Sequence, residues 1–220
     1  VPVDSAKFRT VRAFYDAARA SYAQATATIA DATAQVAQLT SAQDALGARQ
    51  ARVAAVRTTI AAEVAQLEAF EDLIRERAIP LGMVATADQG RIRERHVHDS
   101  LRAATIVTQA DLTGYDLGSG AGLPGVVVAI ACPDLHLTLV ESRRPRAAFL
   151  QLVVDRLGLA NTSVATIRVE ALTEPVDLCF SRAFARVGVA WAAADRLLHP
   201  GGRLVLSSTW RAADRSPVFV

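Results

Sequence analysis

Apolar positions along the chain follow three patterns in succession. From residue 5 to about residue 70, apolar or small side chains recur with heptad spacing. They fall at Tyr15, Ala18, Tyr22, Ala25, Ile29, Ala32, Val36 and Leu39, then at Leu46, Val53, Ile60, Val64 and Leu67. That repeat predicts a helix with a coiled-coil seam. Gln43 and Gln50 interrupt the seam, and the flanking positions carry little complementary charge, so partner choice is weakly specified. As one rod the segment would run about 90 Å. A helical hairpin breaking near Thr40-Ser41 or Gly47 fits the pattern equally well. Nothing in residues 1–70 suggests chemistry, and the role expected of this extension is self-association or docking.

The second pattern is short. Residues 70–77 continue the helix, and Pro80-Leu81-Gly82 breaks it. Asp88 is placed to cap a further helix carrying Arg91, Arg93, Arg95, His96, His98 and Leu101, with Asp99 or Ser100 as a second capped start. Arginines at alternate positions do not share one helix face, and His96 and His98 diverge for the same reason, so no metal pair is expected. The segment reads either as a solvated helix or as a wall of a cofactor cleft with a phosphate-contacting surface.

The third pattern alternates strand and helix. A strand ends at Tyr115-Asp116-Leu117, and a helix follows over residues 125–131. Next come a strand over 135–140, a helix over about 145–157, and strands over 163–167 and 176–180. A helix then runs to about Leu198, and His199-Pro200-Gly201-Gly202 turns into a strand over 203–207. This alternation predicts an α/β fold, a doubly wound parallel sheet, for residues 71–220. Ligands of such sheets sit beyond the carboxyl ends of the strands, at the switch point. Four loops converge there: the glycine turn after Leu117, Glu141-Ser142, residues 168–170, and Ser181-Arg182.

Composition narrows the class. A chain of 220 residues suits one domain plus an appendage, and 51% hydrophobic content is ample for a core. The formal net charge of +2 gives no strongly basic footprint. Lys7 is the only lysine; with the abundance of alanine, this points to a GC-rich bacterial genome. Cys132 and Cys179 lie in apolar runs without metal-like spacing, which suits reduced core thiols in a cytoplasmic protein. No leader and no apolar run of about 18 residues is found, so no membrane partner is expected.

The chemistry centres on residues 114–125, where glycines stand at 118, 120, 122 and 125. Glycine permits positive φ and a close ligand approach. The following helix is expected to aim free N–H groups at the turn, as an anion or carboxylate requires, with Pro124 in its first turn. Glu141 stands about 20 residues beyond the turn, where a carboxylate accepts hydrogen bonds from ribose hydroxyls. Together these suggest a cofactor containing a nucleoside. Gly120-x-Gly122-x-x-Gly125 matches the dinucleotide fingerprint, while Gly118-x-Gly120-x-Gly122 with Asp116 matches the glycine loop of S-adenosylmethionine enzymes equally well. A glycine-rich turn without a ligand is the third possibility.

The ordered set of segments at residues 95–101, 116–125, 139–142, 149–150, 168–170 and 181–185 resembles the RsmG or GidB family (glucose-inhibited division protein B). These are bacterial guanine-N7 methyltransferases of small-subunit rRNA. The resemblance covers roughly residues 70–207. It implies a class I, Rossmann-like fold and methyl transfer from S-adenosyl-L-methionine to N7 of a guanine in 16S rRNA, as naked RNA or within the small ribosomal subunit. By position, Gly118, Gly120 and Leu123 would hold the methionine end and the ribose side of the cofactor. Glu141 would bind the ribose hydroxyls, Val169 and Glu170 would border the adenine, and Arg182 would lie over the cofactor near the entering base. No catalytic base and no metal is implied, because guanine N7 carries a lone pair and no proton. Arg95, His96, Arg144 and Arg146 are candidate RNA contacts.

The chain departs from the family at three places. Ser208-Thr209 replaces a Lys-Gly pair, and only residues 216–220 remain for the family's final antiparallel strands. The heptad region replaces a short helical lead containing Asn-Leu-Thr. A missing strand pair would leave an open sheet edge, as in a truncated domain or one completed by a partner. Three other functions stay open: a small-molecule methyltransferase, whose cofactor half would look the same, a non-catalytic assembly protein with a decayed methyltransferase fold, and an NAD enzyme.

Overall fold

A computed structural model describes residues 5–207; the expectations for Ser208-Thr209 and for a strand at 216–220 lie outside the described residues. The described residues divide into two units between Thr59 and Ile60. Helix α1, Ser5–Leu73, is unbroken over 69 residues, so neither Thr40-Ser41 nor Gly47 forms a hairpin turn. In the first unit the seam residues Tyr15, Tyr22, Ile29 and Val36 are all exposed. The threonines Thr26, Thr28, Thr33, Thr40 and Thr58 turn their hydroxyls onto carbonyls four residues back, at 2.8 to 3.1 Å. This satisfies hydroxyls that would otherwise compete with the helix backbone.

The second unit is built on a five-stranded, all-parallel sheet in the order β3-β2-β1-β4-β5. Its strands are β1 (Thr113–Leu117), β2 (His136–Val140), β3 (Thr162–Ala165), β4 (Val176–Arg182) and β5 (Leu198–Ser207). The order reverses at β1: the chain winds outward through β2 and β3, then returns to β4 on the other side. Register pairs Leu117 with Val140 and Asp116 with Phe180, so the carboxyl ends of β1, β2 and β4 come level at one edge. The start of β1 is pinned to β4 by Asp177, whose Oδ2 accepts the N–H groups of Leu112 and Thr113, each at 2.9 Å.

Helices cover the sheet. Helix α3 (Gly125–Ala131) carries the run Val126–Ile130, which is buried on every side, as expected for an apolar helix with no polar face. Helix α4 (Arg144–Leu157) buries Ala147, Phe149, Leu150, Val153, Val154 and Leu157, the stripe that helical spacing requires, and ends on Gly158 at φ 63°. The last turn of α1 and the π turn that follows it (Ile74–Ala78) belong to this core: Phe70 and Ile74 are fully buried in one cluster with Val126 and Leu150. Gln66 donates to the Leu157 carbonyl at 2.8 Å. Helix α5 (Val187–Asp195) covers the β5 side. Among the described residues, no helix is long and apolar enough to cross a membrane.

Several boundaries differ from the sequence reading: β3 ends at Ala165, and β4 runs on through Ser181-Arg182, which is strand and not loop. The region after Pro80 is not one capped helix but a 3-10 turn (Thr86–Arg91), a π turn (Arg93–Val97) and then α2 (His98–Ala104). Asp88 caps nothing, since its carboxylate is taken by Arg95 and His96, and Asp99 and Ser100 lie inside the continuous helical path. Helix α5 stops at Asp195. Leu198 already pairs with Val176, while Arg203 pairs with Leu178, so residues 199–202 form a bulge within β5 and not a turn before it. Gly202 sits tightly there: an added Cβ would lie 2.9 Å from the His199 carbonyl and 3.1 Å from that of Asp177.

Candidate cofactor site

The site forms where the tips of β1, β2 and β4 come level. The loop after β1 is tied to β2 by the N–H groups of Gly118 and Ser119, which donate to the Val140 carbonyl at 2.9 and 3.0 Å. Glu141, the residue after β2, is 6% exposed. Its Oε2 accepts from the Gly120 N–H at 3.2 Å and its Oε1 from the Arg143 N–H at 2.8 Å. A carboxylate offers about four lone-pair sites. Two are used by backbone, and the others remain for hydroxyl donors.

Asp116, in β1 beneath the loop, is 1% exposed. Its Oδ2 accepts from the Gly125 N–H at 3.1 Å. That N–H is the first of α3, so it is spent on protein and is not free for a ligand as the sequence reading expected. Gly125 leaves no room for a Cβ, which would lie 2.5 Å from Asp116 Oδ2. Asp116 Oδ1 is buried with no partner. Burial pushes the Asp116 carboxyl up to about 7, against the opposing pull of the Gly125 N–H and of Arg182.

Arg182 closes the site from β4. Among the described residues it forms no salt bridge. Its Nη2 donates to His96 Nδ1 at 2.6 Å, and its Nη1 is buried with no partner. His96 Nε2 lies 3.1 Å from Asp88 Oδ2, and Asp88 Oδ1 accepts from Arg95 Nη1 at 2.6 Å. The structure therefore gathers Arg95, His96 and Arg182 around Asp88. His96 is 9% exposed with both ring nitrogens engaged inside the protein, so it presents no ring donor to an RNA surface. Arg144 is exposed and Arg146 half-buried at the start of α4, one turn beyond Glu141.

The remaining candidates fall around this centre. Val169 is 5% exposed and packs in one cluster with Leu117 and Val140, so its side chain borders the core. Its carbonyl accepts from Arg196 Nη2 at 2.9 Å. Glu170 is exposed beside it, and Leu123 is buried in the main core. Gly118, at φ 72°, does not hold open space: the Phe184 ring lies where its Cβ would be. The open approach is at Gly120, where an added Cβ would meet only the Gly118 carbonyl at 3.8 Å. Sequence reasoning missed Asp88 and Phe184 as parts of this site and gave Asp116 no role beyond its motif. The Asp-x-Gly-x-Gly spacing was the available signal for Asp116; none existed for the others. Among the described residues, no group of three or more side chains is arranged to hold a metal ion.

A parallel sheet in this order, with a glycine loop behind β1 and a carboxylate behind β2, is that of a class I, Rossmann-like methyltransferase. The chain belongs to the GidB family, rRNA small subunit methyltransferase G, a family of S-adenosylmethionine-dependent enzymes, whose profile matches residues 63–214. It is 43% identical over 139 residues to the ribosomal RNA small subunit methyltransferase G of Acidiphilium cryptum (strain JF-5), covering 62% of this chain and 64% of that protein. It is 35% identical over 158 residues to the protein of that name in Paracoccus denitrificans (strain Pd 1222), covering 70% and 81%. With that of Stenotrophomonas maltophilia (strain K279a) the identity is 41% over 125 residues, covering 56% and 58%. The match thus spans just under two thirds of the Acidiphilium protein and less of the Stenotrophomonas one.

The raised Asp116 carboxyl carries a stability consequence. An acid whose folded pKa lies above its unfolded value of 3.8 holds its proton more tightly when folded. Folding free energy is therefore lost as pH rises between those values. From about pH 5 to about pH 7.5 the wild type should lose on the order of a few kcal/mol relative to Asp116→Asn, read by urea denaturation. Parallel pH profiles for the two proteins would contradict the assignment.

Proposed function

We propose that this chain transfers a methyl group from S-adenosylmethionine to N7 of a guanine in 16S rRNA, in the setting of the small ribosomal subunit and the cytoplasm. The contact of Glu141 with the glycine loop carries this reading. It puts a carboxylate with spare lone pairs beside Gly120, the open glycine of the loop over residues 118–125, as a ribose requires. The buried, unpartnered Asp116 Oδ1 and Arg182 Nη1 add an acceptor and a donor that protein alone leaves unsatisfied. The residues present fit the cofactor.

When bound, S-adenosylmethionine supplies a sulfonium-activated methyl group and its own leaving group. The chain has to hold and orient. Glu141 accepts the ribose hydroxyls, and the backbone at Gly118 and Gly120, flanked by Leu123, borders the methionine end. Val169 and Glu170 border the adenine, and Arg182 stands over the cofactor beside the entering base. No side chain removes a proton, because N7 bears none; the rate comes from alignment and from fixed charges around the site. Arg144 and Arg146 form no ion pair among the described residues and can meet phosphates, with Arg95 contributing from its place on Asp88. The exposed α1 seam supports self-association with a second copy of the chain.

Binding assays separate this from the other functions. S-adenosylmethionine and S-adenosylhomocysteine should raise the melting temperature of the full chain, and NAD should not. Arg182→Ala should lower the rate of transfer to undermethylated small subunits by about a hundredfold, leaving a measurable residue, with the fold intact. A thermal response to NAD alone would contradict the reading, as would methylation of a small molecule with naked and subunit rRNA both inert. In sedimentation, Ile29→Arg should shift the chain toward monomer; an unchanged distribution would exclude the seam as the contact.

A further inference from the structure

Arg182 is held by a chain of hydrogen bonds that reaches well outside the glycine loop. A guanidinium only donates, so the 2.6 Å contact between Arg182 Nη2 and His96 Nδ1 requires that ring nitrogen to be the acceptor. The ring proton must then reside on Nε2, from which it is donated to Asp88 Oδ2 at 3.1 Å. Asp88 is only 13% exposed at its side chain and is fixed in turn by Arg95 at 2.6 Å. Each link determines the next: Arg95 orients Asp88, Asp88 selects the tautomer of His96, and His96 occupies one arm of Arg182. The other arm, Nη1, is left buried and without a protein partner.

We propose that His96 and Asp88 are positioning residues for Arg182, holding the guanidinium through a neutral imidazole so that Nη1 is kept for the substrate. This rests on the reading of Arg182 as the residue beside the entering base. It moves His96 from the RNA surface to the support of the site, and it gives the 3-10 and π turns after Pro80 a purpose. Those turns bring Asp88, Arg95 and His96 to one point, which a regular helix does not do for residues seven and eight apart from a shared partner.

The electrostatics agree with the geometry. Burial holds the His96 imidazole below its ordinary value of 6.5, and the charge of Arg182 acts in the same direction; Asp88 opposes both, and Arg95 adds a smaller downward push. Arg182 in turn feels Asp99, Asp116 and Asp88 as attractive charges and Arg95 as a repulsive one. His96 is thus neutral at pH 7. A proton added at Nδ1 would set N–H against N–H and release Arg182. The support is present above pH 6.5 and is lost as pH falls through the lowered value for His96.

Nitrogen-15 NMR of the imidazole and methyl-transfer kinetics test this together, using the full chain with S-adenosylmethionine and undermethylated small ribosomal subunits. At pH 7 the wild-type His96 ring should show Nε2 protonated and Nδ1 as an acceptor, with the Nδ1 signal shifting in Arg182→Ala. His96→Leu should lower kcat about tenfold or more, and should cost nothing further in an Arg182→Ala background. His96→Asn, whose amide oxygen takes the place of Nδ1, should stay within about threefold of wild type and lose the acidic limb of the pH profile. An Nδ1-protonated ring, or full additivity of His96→Leu with Arg182→Ala, would overturn the proposal. A wild type inactive on rRNA would instead contradict the assigned function, and the tautomer measurement would still decide whether His96 holds Arg182.

Discussion

The hydrogen bond from the Gly120 N–H to Glu141 joins two tips of the sheet that are adjacent in space but 21 residues apart in sequence. Much of the site depends on that link. The loop after β1 already donates two N–H groups to Val140, so its first residues follow β2; the Glu141 carboxylate then fixes the next glycine in turn. Bonds from N–H to a carboxylate contribute roughly 1.5–3 kcal/mol each, more than neutral ones. The register of β1 against β2 sets the geometry, because a slip of one residue would carry Glu141 to the opposite face.

Beneath the loop, the chain tolerates an arrangement that costs stability. Asp116 is buried, accepts one N–H, and leaves one oxygen unsatisfied, while Arg182 nearby leaves one nitrogen unsatisfied. Neither feature helps folding, since buried polar groups without partners are destabilising. Their presence at the crossing of β1 and β4, where doubly wound sheets take their ligands, accords with atoms held in reserve for a ligand. The neighbouring arginines are otherwise largely committed. Arg75 and Arg93 pair with Glu71, Arg95 with Asp88, and Arg203 with Asp111. A net charge of only +2 is compatible with a small phosphate-facing patch at Arg144 and Arg146.

Much of this was legible in the chain itself, for reasons that differ by element. The heptad spacing from Tyr15 to Leu67 and the apolar runs of β2 and α3 are local patterns, and they appear as one long helix, a sheet strand and a buried helix. Glu141 was found by spacing alone, because a strand of fixed rise puts the residue after β2 beside the loop after β1. What could not be read depended on distant contacts. The bond between Arg182 and His96 joins residues 86 positions apart, and Asp88 had the sequence character of a helix cap until the turns around it were seen. The glycine at 118 suggested room for a ligand, yet Phe184 fills that space from another strand end, a contact no local pattern encodes. The bulge at 199–202 was hidden because Pro-Gly-Gly marks a turn as readily as a strand irregularity.

A ribose held by Glu141 is tested most directly by calorimetry with S-adenosylhomocysteine and an analogue lacking both ribose hydroxyls, on the wild type and on Glu141→Ala. The wild type should bind the full nucleoside about ten to a hundred times more tightly than the analogue, and Glu141→Ala should bind the two alike. Equal affinities in the wild type, or discrimination that survives in the variant, would place the sugar elsewhere and contradict the site described.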